Sequence, residues 1–374
     1  MSFRLGKIRD LVIEMERKNV DLTIIIDAST ITYFTGFPYA NGSMLLVHRD
    51  GQIELYVPVL DYLRAKDIAK DIEVKAYARY PLPDIEFENY IPKSALDVVV
   101  DIIKRKKFKY IGLDYTHSSH KIVVNLSKKL EGKISFIDLG EFIARIRAIK
   151  SSEELDSIIK AIDIAERSFK KTVNYIHEGA TELEVAGALE YVMRKLGAEG
   201  FSFPTIVAFN ENSVYPHARA GSRTLREKGV VLIDWGAKYN NYCSDITRTI
   251  NYKLNSLEFK KVYEAVYEAL TTAIDAIEPG KKGKEIDAIA RNILRKHGLS
   301  KFFIHGLGHG IGVDVHEYPR LSPGSENILE PGMVVTVEPG VYINRLFGVR
   351  IEDIVLVTKD GRRVLTSIDR VINL

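Results

Sequence analysis

Residues 229–249 read GVVLIDWGAKYNNYCSDITRT, and this stretch places two acids among strand-forming residues. The apolar run 230–233 ends in Asp234, and Asp245 opens a second run of strand-forming residues. The pattern predicts a hairpin with Tyr239-Asn240 as its two-residue loop, which would put Asp234 directly opposite Asp245. Two carboxylates that close repel each other, and a bound cation removes the repulsion. The alternative is a hairpin whose acids face water.

A second pair of acids lies further along the chain in a similar setting. Glu338 follows the apolar run 333–337, and Glu352 lies inside the otherwise apolar segment 349–357. An acid within such a strand is costly to bury unless it is paired or bound to a metal ion. Arg350 is two residues from Glu352 on the same strand face, so a salt bridge between them is the alternative to metal binding.

The two acid pairs follow two similar stretches of sequence. Residues 179–197 read GATELEVAGALEYVMRKLG, and residues 280–298 read GKKGKEIDAIARNILRKHG. Both begin and end on Gly, and both end in Arg-Lys-x-Gly. Two copies of a helix followed by acid-bearing strands predict a domain with pseudo-twofold symmetry. Chance similarity between two amphipathic helices is the alternative.

The first 140 residues alternate strand and helix patterns, which is typical of an α/β domain. The patterns predict a helix over residues 95–106. They also predict a hairpin of strands 43–47 and 53–57 around Asp50-Gly51.

A chain of 374 residues is expected to form two domains. Residues 151–154, Ser-Ser-Glu-Glu, are typical of a helix start, with a hydroxyl cap and acids in the first turn. We place the boundary near Ala148. We therefore expect an α/β domain over residues 1–147 and an α+β domain with pseudo-twofold symmetry over residues 148–374.

Composition excludes several classes of protein. The 53 Lys and Arg residues nearly balance the 50 Asp and Glu residues, so there is no basic excess for nucleic acid. No run of about 18 apolar residues predicts a membrane span. Cys243 is the only cysteine, which excludes an intrachain disulfide and a cysteine-based zinc site. The N-terminus MSFRLGKIRD lacks the apolar segment of a signal peptide, so we expect a cytoplasmic protein.

Histidines complete a candidate metal centre. Residues 304–312 read IHGLGHGIG, a glycine-rich loop that includes His309 and lacks the spacing of a dinucleotide-binding loop. His316 follows seven residues later, and His217 lies in the stretch YPHAR. A lone histidine is usually structural, but three near acids in apolar strands indicate a site. Four carboxylates and one imidazole suit Mn, Co, Fe or Zn, and their charge calls for two ions.

These residues closely resemble the pita-bread metallopeptidases, the family of methionine aminopeptidase, aminopeptidase P and prolidase. The family's ligand order of Asp, Asp, His, Glu and Glu occurs here with separations of 11, 64, 29 and 14, similar to those of prolidases. The strings DWGAKYNNYCSDITRT, GLGHGIGVDVHEYPR, VEPGVYI and VRIED extend the resemblance over about residues 150–370. The string DLTIIIDASTITYFTGF resembles, more diffusely, the smaller domain of creatinases and prolidases. One departure lies at residues 208–212, AFNEN, where small residues are expected before the asparagine.

The resemblance implies a role for each candidate metal ligand. Asp234 would chelate one ion, and Asp245 and Glu352 would bridge both ions. His309 and Glu338 would complete the other site. Glu338 would also accept the proton of the attacking water.

The resemblance also implies the residues that bind substrate. His217 and His316 match histidines that contact the substrate and stabilise the tetrahedral intermediate. Arg320 matches a position at which prolidases favour a free carboxylate. Tyr342 and Arg350 would orient the groups around them.

Together these matches imply a creatinase/prolidase-like α/β domain over residues 1–147 and a pita-bread catalytic domain over residues 148–374. The implied reaction is hydrolysis of the Xaa-Pro bond of dipeptides by a metal-bridging hydroxide, with two Mn or Co ions, or Zn or Fe, per subunit. Proline-containing small peptides would be the partners, and the chain would form a homodimer. The alternatives are an aminopeptidase P acting on longer peptides and a pita-bread binding module without catalysis. All five ligands are present, which disfavours the second alternative.

Overall fold

The computed structural model describes residues 3–38, 40–82, 84 and 87–374. These residues form two units, one ending at Arg147 and one beginning at Ala148. None of the helices within the described ranges is both long and apolar enough to cross a membrane.

The first unit is built on one mixed sheet. Its strands are β1 (Leu22–Ile25), β2 (Met44–His48), β3 (Ile53–Pro58), β4 (Glu73–Tyr77), β5 (Tyr90–Ile91), β6 (Tyr110–Leu113) and β7 (Ser135–Asp138). Its helices are α1 (Phe3–Arg17), α2 (Ala28–Thr35), α3 (Tyr62–Ile68), α4 (Ala95–Lys106), α5 (His120–Lys129) and α6 (Gly140–Ala148). Among the described strands the order in the sheet is β5-β4-β3-β2-β1-β6-β7.

The structure contains the hairpin and the helix that were predicted in this unit. Strands β2 and β3 pair antiparallel, and the turn between them contains Gly51 with a φ of 89°. Helix α4 spans the predicted residues and is capped by Ser94, whose side chain accepts a hydrogen bond from Asp97 N. Apolar residues of α4 and α5 share one core with residues of the sheet. The unit is therefore an α/β sandwich, as the alternating pattern indicates.

The second unit contains the remaining elements. Its helices are α7 (Ser152–Thr172), α8 (Glu182–Lys195), α9 (Leu257–Asp275) and α10 (Gly283–Lys296). Its first strands are β8 (Gly200–Phe201), β9 (Ile206–Phe209), β10 (Gly229–Trp235), β11 (Ala237–Tyr239), β12 (Tyr242–Cys243) and β13 (Ile246–Tyr252). Its later strands are β14 (Gly308–Gly310), β15 (Glu317–Leu321), β16 (Val334–Val337), β17 (Gly340–Ile343), β18 (Phe347–Arg350), β19 (Asp353–Thr358), β20 (Gly361–Val364) and β21 (Ile372–Asn373).

Helix α7 begins at the predicted helix start. The Ser151 side chain accepts a hydrogen bond from Glu154 N at 3.3 Å, and Glu154 Oε2 accepts one from Ser151 N at 2.9 Å. This reciprocal capping box satisfies two backbone donors that the first helical turn leaves free. The helix start predicted from the hydroxyl cap and the acids after it is therefore confirmed.

The second unit has two halves that share one order of elements. Each half has two helices, strands that lead to an acid, a short hairpin, and a return strand next to a second acid. The hairpin is β11 with β12 in the first half and β17 with β18 in the second. Gly179 N donates to Leu225 O and Gly280 N donates to Leu329 O, both at 2.9 Å. The repeat in the sequence thus corresponds to a duplicated arrangement in the structure.

The predicted register of the first acid pair is wrong. The loop of the β11–β12 hairpin is Asn240-Asn241, one residue later than predicted, and Asp234 pairs with Thr247 rather than Asp245. Both asparagines have positive φ values, 48° and 69°. A two-residue loop of this kind requires such values, which asparagine tolerates far better than tyrosine. Moving the loop by one residue moves the pairing by two.

Glycine substitutions test how tightly the repeated helices are packed. A Cβ at Gly283, the first residue of α10, would lie 2.0 Å from Arg320 O, whereas a Cβ at Gly187, inside α8, meets nothing within 4 Å. We expect Gly283→Ala to lower the free energy of unfolding by about 1–3 kcal/mol. We expect Gly187→Ala to raise it by about 0.5–1 kcal/mol, because alanine is the better helix former. Denaturant unfolding of both variants measures this, and a change of the same sign in both would contradict the packing argument.

Candidate metal centre

Five side chains from both halves of the second unit line one cleft of about 970 Å³. Asp234 lies near the end of β10, Asp245 just before β13, and His309 in the middle of β14. Glu338 directly follows β16, and Glu352 directly precedes β19. The chain therefore brings all the predicted metal ligands to the same place, although the register predicted for the first pair was wrong.

His309 lies close to three of the four acids. The ligand atoms of Asp245, His309 and Glu352 all lie within 4.8 Å of one another. His309 Nε2 is 3.2 Å from Glu338 Oε1 and 3.7 Å from Asp245 Oδ2. His309 Nδ1 is 3.2 Å from the Gly310 carbonyl oxygen, which only accepts, so a neutral ring carries its proton on Nδ1. In that neutral form Nε2 would offer its lone pair to a metal ion, whereas a protonated Nε2 donates a hydrogen bond to Glu338.

Three of the acids hold a buried oxygen that has no hydrogen-bond partner among the described residues. These atoms are Asp234 Oδ1, Asp245 Oδ1 and Glu352 Oε1. A buried polar atom without a partner costs about 1–3 kcal/mol. Carboxylate oxygen and imidazole nitrogen suit divalent ions of hard or borderline character. The residues therefore fit divalent metal ions, which would satisfy the oxygens that the protein leaves unpaired.

Burial and mutual repulsion shift the pKa values of the acids. Burial raises the pKa of Asp234, and it raises the pKa values of Asp245 and Glu352 well above their ordinary range. Repulsion from the neighbouring carboxylates adds to burial at each of them. At Glu338 burial also acts to raise the pKa, but the hydrogen bond and charge of His309 outweigh it, so the pKa is lowered. Glu338 is thus the acid that this environment favours in its ionised form.

A buried arginine supports the first acid. Arg350 Nη2 donates to Asp234 Oδ2 at 2.6 Å, and Arg350 Nε donates to Thr247 Oγ1 at 3.0 Å. Thr247 Oγ1 in turn donates to Glu352 Oε2 at 2.9 Å. The alternative in which Arg350 pairs with Glu352 is therefore wrong, because its guanidinium is directed to the other half of the site. Arg350 links acids of both halves, one directly and one through a threonine.

A second polar chain continues from the same arginine. Arg350 Nη1 donates to Tyr342 Oη at 2.8 Å, and Tyr342 Oη is 3.0 Å from His305 Nε2. His305 Nδ1 is 2.8 Å from Gly306 O, so Nδ1 carries the proton and Nε2 accepts from the tyrosine. Burial lowers the pKa of His305, which agrees with a neutral ring. The sequence pattern assigns no role to His305, although it stands four residues before His309 in the glycine-rich loop.

Thr247 is the other residue of the site that the sequence pattern does not mark. The feature of the sequence that could have identified Thr247 is its position two residues after Asp245, which puts both side chains on one face of the strand. A threonine in a strand is so common that this spacing alone does not mark it as functional.

The predicted substrate residues lie along the same cleft. His217, His316 and Arg320 all line it, and each is exposed. The rings of His309 and His316 meet edge to face with their centroids 4.3 Å apart. Partial burial and the charges of His309 and Arg320 lower the pKa of His316 to about 4, so its ring is neutral at pH 7. These three side chains therefore line the part of the cleft that a ligand can reach from solvent.

Known families match both units. Residues 4–149 match the Creatinase/Prolidase N-terminal domain, and residues 156–359 match Metallopeptidase family M24. The chain is 38% identical over 370 residues to the Xaa-Pro dipeptidase of Pyrococcus furiosus, and the alignment covers 99% of each protein.

Solved structures show the same fold over nearly the whole chain. The prolidase from Pyrococcus horikoshii OT3 has a TM-score of 0.88 and 35% identity, with 98% of this chain and 99% of that one covered. The X-Pro aminopeptidase from Thermotoga maritima MSB8 has a TM-score of 0.88 and 34% identity, with the same coverage. The matches confirm the expected fold, in which a creatinase-type N-terminal domain precedes a pita-bread catalytic domain. The chain is a member of metallopeptidase family M24.

Proposed function

We propose that this protein is a metal-dependent Xaa-Pro dipeptidase with two divalent ions per subunit. The observation that carries the proposal is the convergence of four carboxylates and His309 on one cleft, with buried oxygens left unpaired on three of the carboxylates. The identity to an Xaa-Pro dipeptidase over the full length of the chain supports the choice of substrate.

The proposed ligands keep the roles that the family resemblance implies. Asp234, Asp245, His309, Glu338 and Glu352 would hold the ions. We propose Mn or Co, with Zn or Fe as alternatives, since oxygen and nitrogen donors accept all four. When bound, such ions act as Lewis acids and lower the pKa of water.

The protein groups would handle the protons and the developing charge. Glu338 takes the proton that water loses as it adds to the scissile carbonyl, because the neighbouring His309 favours its ionised form. The same carboxyl then returns the proton to the proline nitrogen, which leaves as a secondary amine. His217 and His316 donate hydrogen bonds to the carbonyl oxygen as it gains negative charge. Arg350 and Tyr342 act by keeping Asp234 in place.

The cleft also suits the proposed substrate. Proline has no backbone N–H and presents an apolar ring, so its subsite needs no acceptor for that group. Phe203, Ile206 and Val315 give the cleft an apolar wall. Arg320 at its rim would bind the free carboxylate of a dipeptide. This last contact favours dipeptides over longer peptides.

Two further properties belong to the proposal. We propose a homodimer, which light scattering of the purified protein tests. We also propose a cytoplasmic location, which the free, buried Cys243 suits because thiols persist in reducing compartments.

The direct test is a hydrolysis assay on Xaa-Pro and Xaa-Pro-Xaa peptides after loading with Mn, Co, Zn or Fe. We expect the metal-free protein to be inactive and the loaded protein to favour the dipeptides. Faster release from Xaa-Pro-Xaa peptides would instead support an aminopeptidase, the activity named for the Thermotoga maritima structure. Protein that binds no metal and cleaves neither substrate would support a binding module.

Replacing Arg320 tests the carboxylate contact. We expect Arg320→Ala to lower kcat/KM about tenfold or more on Xaa-Pro dipeptides, and to affect Xaa-Pro-Xaa peptides much less. Arg219→Ala is the matched control, because Arg219 is a second exposed arginine at the same cleft. Equal losses on both substrates in Arg320→Ala would contradict the assignment.

Replacing Asp245 tests the metal centre. Asp245→Asn removes one of the mutually repelling carboxylates, so we expect the metal-free variant to be at least as stable to heat as the wild type. The wild type should gain about 2.7 kcal/mol of stability with metal at 100 times its Kd, and the variant much less. Peptide hydrolysis should be abolished. Thermal unfolding with and without metal measures the effect, with the exposed Glu227→Gln as control. Near-normal hydrolysis in Asp245→Asn would rule out a bridging role.

A further inference from the structure

Glu182 is a buried acid outside the proposed metal centre. It lies in the first turn of α8 and is 1% exposed. Its Oε1 accepts hydrogen bonds from Phe209 N at 2.8 Å and Asn212 Nδ2 at 2.9 Å. Its Oε2 accepts one from Gly221 N at 3.0 Å, and Arg223 Nε lies 3.7 Å from Oε1. Every one of these partners is a donor, which matches a carboxylate that only accepts.

The start of helix α8 has a cap that is formed without this carboxylate. Thr181 and Glu184 already form a capping box: Glu184 N donates to Thr181 Oγ1 at 3.1 Å, and Thr181 N donates to Glu184 Oε2 at 2.7 Å. A buried carboxylate is costly unless its oxygens are bonded. At Glu182 those bonds go to a different part of the chain, so its role lies there rather than in the helix.

The partners of Glu182 delimit the segment 209–223, which includes His217. Phe209 N is at its start and Gly221 N is near its end, so one side chain joins both ends of the loop. The segment also touches the metal centre, because Pro216 O accepts a hydrogen bond from Arg350 Nη1 at 3.2 Å. The loop is thus held between Glu182 and Arg350.

The start of α10 in the second half can be compared with the start of α8 in the first half. The two repeated stretches align Glu182 with Gly283, the first residue of α10. A Cβ at Gly283 would lie 2.0 Å from Arg320 O. The start of α10 therefore directly contacts the backbone of Arg320, a proposed substrate-binding residue. The start of α8 contacts its loop through backbone hydrogen bonds from Glu182 N to Arg223 O and from Leu183 N to Gly221 O, both at 3.1 Å, and through the Glu182 carboxylate as well. Each repeated helix thus supports one segment that lines the cleft.

We propose that Glu182 is a positioning residue that fixes the segment 209–223 and thereby places His217 in the cleft. The kinetic part of this inference rests on the proposed function, while the structural part rests on the contacts alone. In Glu182→Gln an amide nitrogen replaces one accepting oxygen, so a donor faces Phe209 N or Gly221 N and one bond is lost.

The structural part is tested by hydrogen exchange. We expect amides of the segment 209–223 to exchange faster in Glu182→Gln than in the wild type, with metal affinity unchanged. Glu184→Gln is the matched control, because it is exposed, lies on the same helix, and glutamine also serves in a capping box. If Glu182→Gln does not fold, Asn212→Ala removes one donor to the same carboxylate and should loosen the same segment. Unchanged exchange in the folded variant overturns the proposal.

The kinetic part is tested by a double-mutant cycle on an Xaa-Pro dipeptide. We expect Glu182→Gln to lower kcat/KM by up to roughly 100-fold, because a displaced group at the cleft loses its contact with the substrate. Adding Glu182→Gln to His217→Ala should cause little further loss, since both changes remove the same contribution. Losses that multiply would overturn the positioning role. If the wild type cleaves no Xaa-Pro peptide, the proposed function fails, and the exchange measurement alone decides on Glu182.

Discussion

The repulsion among four neighbouring carboxylates, three of them buried, is the constraint on which the catalytic unit depends. In water such groups would separate, so the fold has to hold them together against their own charge. Each is fixed at or beside a strand end, next to a short hairpin, where the backbone has little freedom. Arg350 offsets part of the charge from a buried position and also joins the two halves. Divalent ions would offset the rest.

Duplication gives the acids their geometry. One half supplies Asp234 and Asp245, and the other supplies Glu338 and Glu352, each pair on either side of a short hairpin. Close backbone approach brings the strands together. A Cβ at Gly236 would lie 1.9 Å from Ser244 O, so no side chain fits there. Packing of this kind limits how far the acids can move apart.

Much of this could be predicted from the sequence because the signals were local. Acids in apolar strands, a repeated helix pattern and a serine cap each have a direct physical meaning. The wrong prediction of Tyr239-Asn240 as the hairpin loop also has a physical reason. The choice between neighbouring two-residue loops depends on which residues tolerate positive φ. Contacts between residues far apart in the chain could not be predicted from such local patterns. Pairing Arg350 with the nearby Glu352 was reasonable from spacing, but the guanidinium reaches Asp234, 116 residues away.

The contrast between Glu182 and Gly283 has a consequence for exchanging the two repeated helices. The two repeated helices are not interchangeable, because the space that holds a carboxylate next to α8 is filled by backbone next to α10. Placing α8 where α10 stands would force the Glu182 side chain against the backbone of Arg320. Placing α10 where α8 stands would leave Phe209 N and Gly221 N without their carboxylate acceptor. The difference at this one aligned position thus fits each repeated helix to its own half.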